Sequence, residues 1–316
     1  MKLPESRYGF QPAARTGRGR RTSFRVAVIT VAAVIIGAIV WQRSAIVDWI
    51  SPTEPDQASL EELWEAQMYA DILSRTDEIL EESPLNGRAL TFGGFAQFYI
   101  STEVYTLEEK LPYIDSSIAL LRKALLFAPE SSHGPIEYVL GKAYHFKGRY
   151  YADLTIEYLE RAIEKEYLGE DTYEYLGLAH SNLGRYRTSA EFFQKAVDVD
   201  PTDMRFLALA RAHINAGNIV DAEAFLIRTV SQTEDSIIEQ RSRYLLGGIY
   251  SDLNQAAKAE VQYRAIIEAN PRAADAFYYL GEIYAGEDKP IEARAYWREA
   301  LSIDPNHYGA RLRYYK

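Results

Sequence analysis

Cysteine is absent from the 316 residues, and histidine and methionine are scarce, at five and three. Without cysteine there is no disulfide framework, no thiolate nucleophile and no zinc knuckle; the absence suits an oxidising compartment without proving one. His133, His145, His180, His213 and His307 stand in no HExxH arrangement, and no Walker loop or serine elbow occurs. The glycines of "GRGRR" and "TFGGF" lack the strand-to-helix setting that holds a phosphate. Acid-rich stretches such as "SLEELWE" and "LEEKL" read as solvated helix faces. No catalytic residue, metal ligand or cofactor is therefore expected, and the chain reads as a non-enzyme.

What the chain does have is 47% hydrophobic residues, enough for one or two domains or one extended repeat array, and an uneven charge. Residues 1–25 carry Lys2, Arg7, Arg15, Arg18, Arg20, Arg21 and Arg25 against Glu5, a balance of +6. The formal charge of the whole chain is −10, so the other 291 residues carry −16. An acidic body is a poor partner for nucleic acid, whose binding is dominated by phosphate neutralisation. Directly after the basic tail, Val26 to Gln42 form a run of 17 residues without a charge, about 26 Å as a helix against a hydrocarbon core of about 30 Å. Arg25 and Arg43 can snorkel, and Trp41 and Trp49 suit the interface. Residues 26–46 are expected to form one transmembrane helix in contact with the lipid bilayer, with 1–25 as a basic cytoplasmic tail and 47–57 as a linker. No small-residue cleavage site closes the run. The positive-inside rule then puts the tail in the cytoplasm and the acidic body on the outer, periplasmic side of the cytoplasmic membrane.

Beyond residue 58 a pattern recurs. "LGKAYHFKGRY", "LGLAHSNLGRY", "LARAHINAGN", "LGGIYSDLNQ" and "LGEIYAGEDK" align on a small residue at Gly141, Gly177, Ala210, Gly247 and Gly281, at intervals of 36, 33, 37 and 34. A second small column, Ser189, Ala222, Ala259 and Ala293, follows its own first column by 12 residues each time. Constant spacing inside each unit and variable spacing between units mean stacked helical hairpins, with the three extra residues of the 37-residue interval expected in "SQTEDS" (231–236). A helix-interior glycine costs about 1 kcal/mol relative to alanine. Its place here is expected to be a tight crossing, where Gly177 and Ser189 meet. Pro201, Pro271 and Pro305 end the second helices, and Gly184 sits where a first helix should close in a left-handed cap.

These hairpins resemble tetratricopeptide repeats. The family pattern is met by Leu176, Gly177, Phe193, Ala196 and Pro201, with His180 and His213 in the tyrosine column, and again by Leu280, Gly281, Tyr284, Ala293, Trp297, Ala300 and Pro305. The fold expected is an all-α helical-hairpin solenoid with five repeats over 134–307. Degenerate repeats are expected over 58–133, opened by a Ser59–Glu62 capping box and interrupted by an insertion at 100–112. Pro112 is expected at a helix start or kink, and 308–316 as the start of a capping helix. First helices of such arrays line a concave face, where the register nominates Tyr138, Lys142, Asn182, Arg211, Asn215, Tyr244, Tyr278 and Glu282 as a groove for protein or peptide partners. The family's clamp for acidic C-terminal peptides, lysine and asparagine four apart on one helix, is not met by Tyr138–Lys142, Glu174–Leu178 or Leu207–Arg211. With the expected membrane helix and its orientation, the resemblance leads to the expectation of a membrane-anchored scaffold or adaptor for assembly of an envelope complex. A chaperone-like factor for secreted proteins and an accessory subunit of a cell-wall enzyme are the alternatives, and a homo-oligomer is compatible with each.

Overall fold

The computed structural model describes residues 55–315. The basic tail and the expected membrane helix lie outside them, and no helix among the described residues is long and apolar enough to cross a membrane. Among the described residues fifteen α-helices follow one another: α1 Pro55–Glu65, α2 Tyr69–Glu82, α3 Gly87–Glu103, α4 Leu107–Phe127, α5 His133–Lys147, α6 Ala152–Glu164, α7 Thr172–Asn182, α8 Tyr186–Val199, α9 Asp203–Ala216, α10 Ile219–Gln232, α11 Ser236–Asp252, α12 Ala256–Ala269, α13 Ala274–Gly286, α14 Pro290–Ile303 and α15 Tyr308–Tyr314. From α3 onward consecutive helices pair as hairpins, each packed on the next, and α15 covers α14. The first helix docks through Trp64, whose ring meets Tyr69, Phe92, Phe95 and Tyr99 edge-on or tilted.

Local sequence explains the helices. In α8 the buried side chains are Ser189, Ala190, Phe193, Ala196 and Val197, one stripe at helical spacing, while Arg187, Glu191, Lys195 and Asp198 face solvent. Pro201 follows its end, and Thr202 starts α9 by accepting the Arg205 N–H. Gly184 has φ +71, the left-handed cap its position called for.

The expected crossing is present, with one addition. Ser189 Oγ donates to the Gly177 carbonyl at 2.7 Å, so the two small residues do meet. What forbids a side chain at 177 is Phe193, one turn further along α8, whose ring would lie 2.9 Å from a Cβ there. The same pairing of a glycine with a large residue recurs as Gly141 with Leu159, Gly247 with Tyr263 and Gly281 with Trp297. Small and large residues interlock at each crossing, which lets the helix backbones approach.

Three boundaries differ from expectation. The extra residues of the 37-residue interval are not in the turn but lengthen α11 to 17 residues, because the Asp235 carboxylate accepts from the Ile237 and Ile238 N–H groups and starts the helix early. Residues 100–112 are likewise mostly helical: α3 runs to Glu103, Thr106 caps α4, and the exposed Pro112 lies inside α4, where solvent can take the carbonyl left without its N–H. Helix α1 begins at Pro55, within the expected linker, so Ser59 lies inside a helix and not at its start.

Candidate functional site

The first helices were expected to expose eight residues in one groove; the structure leaves three of them open. Tyr138 and Lys142, one turn apart on α5, are 8% and 3% exposed. Asp171, at the N-cap of α7, turns its carboxylate away from its own helix and toward them. The Tyr138 hydroxyl donates to Asp171 Oδ1 at 2.5 Å, and Lys142 Nζ donates to Oδ2 at 2.8 Å and to the Tyr138 oxygen at 3.1 Å. The ammonium also lies 4.9, 5.2 and 5.7 Å from the ring centres of Tyr138, Tyr175 and Phe98, a cation among aromatic faces. Burial, and then the Asp171 charge, push the Tyr138 hydroxyl well above its ordinary pKa. Beside them burial holds His145 down at about 4, so its imidazole is neutral at pH 7. This cluster ties neighbouring repeats together and is closed to a ligand.

At the other end, α15 and the residues before it contact α13. Arg313 grips Glu282 through Nε at 3.0 and 3.1 Å and Nη2 at 2.7 Å, His307 Nε2 lies 2.9 Å from Asp275 Oδ1, and the His307 ring stands 5.0 Å from that of Tyr278. Tyr244 is half-buried between the Tyr263 and Tyr279 rings, and burial followed by the Asp275 charge raises its hydroxyl above the usual range. Tyr244, Tyr278 and Glu282 are thus half-buried with partners in the fold, whereas Tyr138 and Lys142 are buried. Glu174 is held by Arg205 at 2.5 Å, and Arg205 also binds the Asp200 carboxylate at 2.6 Å, which locks α7 to α9. His180 and His213 lie flat on Phe192 and Phe225, and burial lowers the pKa of both.

Asn182, Arg211 and Asn215 remain exposed on α7 and α9. Asn215 borders an open depression of about 320 Å³ whose opposite wall is the start of α8, with Arg185, Tyr186, Arg187 and Thr188. The search along first helices missed Arg185 and Arg187 because they belong to the turn into a second helix; their signal in the sequence is "GRYR", two arginines beside the capping Gly184.

Tetratricopeptide-repeat models match residues 183–242, 240–272 and 274–307. Residues 183–307 are tetratricopeptide repeats. A crystal structure of the C-terminal part of a tetratricopeptide-repeat-containing protein from Cytophaga hutchinsonii extends that fold, covering 81% of this chain and 98% of its own with a TM-score of 0.61 at 16% identity. At that identity the likeness shows the fold alone. MamA from Desulfovibrio magneticus is similar over 56% of this chain and 97% of its own, with TM-score 0.49 and 17% identity. Among curated proteins, the protein O-mannosyl-transferase TMTC1 of Homo sapiens is 25% identical over 206 residues, 53% of this chain and 23% of that protein. The chain therefore spans less than a quarter of that relative. Among the described residues the tetratricopeptide array carries no catalytic domain, and such domains bind protein or peptide partners.

Proposed function

We propose that this tetratricopeptide scaffold is a membrane-tethered adaptor, held by residues 26–46 with its repeats on the outer side of the cytoplasmic membrane, that brings partner proteins together in an envelope assembly. The observation that carries the binding surface is the exposure of Asn182, Arg211 and Asn215 on adjacent first helices, where the other groove residues are covered. Amide and guanidinium groups without a fold partner suit the peptide groups and side chains of an extended segment.

Replacing the three together, as Asn182→Ala, Arg211→Glu and Asn215→Ala, is expected to reduce recovery of cross-linked partners from native membranes severalfold. The unfolding free energy should stay within about 1 kcal/mol of wild type, because exposed sites contribute little to the packing of the hairpins. Full recovery at matched abundance would remove this face as the main binding surface.

Topology is supported by the +6 tail ahead of the uncharged run. A C-terminal alkaline phosphatase fusion is expected to be active, and external protease should digest the repeats in spheroplasts. A protected body with a fluorescent cytoplasmic reporter would reverse the orientation and end the envelope reading.

A further inference from the structure

Several arginines of the array are held by carboxylates within the fold. Arg75, Arg88, Arg161, Arg205, Arg243, Arg264 and Arg313 each meet a carboxylate. Arg185, Arg187 and Arg211 do not: all three are exposed, and no ion pair or side-chain hydrogen bond engages their guanidinium groups among the described residues. Two of them converge on the depression between the start of α8 and the end of α9, and no carboxylate lines it. Arg211 stands one helical turn before Asn215, on the same side of α9 as that wall. The clustering of these arginines beside a depression without a carboxylate makes a local positive patch on a body of net charge −16. It raises the local density of anions, and guanidinium groups bind carboxylates through paired, charge-assisted hydrogen bonds.

We propose that this depression binds an acidic segment of a partner protein, with Arg185 and Arg187 on its carboxylates, the Asn215 amide on its backbone and Arg211 on the adjoining acidic residue. The volume of about 320 Å³ admits a few side chains and not a folded domain, so the segment is extended. The site lies at helix turns and is not the lysine–asparagine arrangement of two positions on one first helix. The inference deepens the partner-binding reading of Asn182, Arg211 and Asn215 and rests on it.

The test uses the full chain in detergent micelles and a fluorescein-labelled hexaglutamate peptide, with hexaserine and hexalysine peptides beside it. Fluorescence anisotropy should report binding of the glutamate peptide alone, weakening as salt rises. Arg185→Gln with Arg187→Gln should raise its dissociation constant about tenfold or more. Arg272→Gln with Arg298→Gln, which removes two exposed arginines elsewhere, should leave it near wild type. The basic tail is common to all variants, and a photo-crosslinking form of the peptide should attach within 182–188 and 211–216. Equal weakening in the two double variants, or cross-links confined to residues 1–25, would overturn the inference. If the glutamate peptide does not bind while Arg185→Gln with Arg187→Gln still lowers recovery of the native partner, the acidic chemistry is overturned and the partner surface stands.

Discussion

Leucine at Gly247 is expected to lower the stability of the array by about 3 kcal/mol or more, whereas alanine at the adjacent Gly248 should raise it by up to about 1 kcal/mol. Both glycines lie in the interior of α11, so helix propensity alone would make both substitutions favourable. Packing separates them. A Cβ at 247 would meet ring atoms of Tyr263 at 2.6 and 2.7 Å, and Tyr263 is itself 1% exposed and cannot swing away. A Cβ at 248 meets nothing within 4 Å. Overpacking a filled core forces backbone shifts, and here the shift must open the α11–α12 crossing. The thermal midpoint by far-UV circular dichroism is the measurement, with the two variants moving in opposite directions. A Gly247→Leu protein that melts with wild type would show that the small-to-large pairing at these crossings does not hold the hairpins.

Lys142→Ala is expected to cost about 3 kcal/mol, because it leaves the Asp171 carboxylate and the Tyr138 hydroxyl in a largely dry site without their shared donor. Losing one member of a buried ion pair costs about 3 to 5 kcal/mol, and the Asp171 side chain is 21% exposed, which places this pair at the lower end. A double-mutant cycle separates the pair from its surroundings. Lys142→Met combined with Asp171→Asn should cost less than the sum of the two single changes, because neither charge is then left alone. Strict additivity, or an unshifted midpoint for Lys142→Ala, would remove the cluster as the tie between α5 and α7. The loss also bears on function, since α7 carries Asn182 of the exposed face.

Much of the fold was legible in the spacing. The intervals of 33 to 37 residues and the constant 12 residues inside a hairpin follow from chemistry that is local in sequence: a helix ends before proline, a left-handed cap favours glycine, and a tight crossing tolerates only small residues. Where capping decided a boundary, spacing was a poorer guide. Asp235 and Thr106 each accept N–H groups from the residues that follow, so the extra residues of two units became helix and not loop.

The candidate site was legible only in part. Register along a helix sets the direction in which Tyr138, Lys142, Tyr278 and Glu282 project, and to that extent spacing alone determined which side chains line the first-helix face. Whether that face is open depends on groups about thirty residues away in the next unit: Asp171 for Tyr138 and Lys142, and Arg313 and His307 for Glu282 and Tyr278. A side chain is covered when a distant group of the right charge or shape arrives over it, and no periodicity encodes that arrival. The sequence by itself determined the repeat, its crossings and the charge of the body. Only the tertiary structure decided that two of the eight groove residues are buried, that three more are half-buried against partners in the fold, and that Arg185 and Arg187, from a turn, stand beside Asn215.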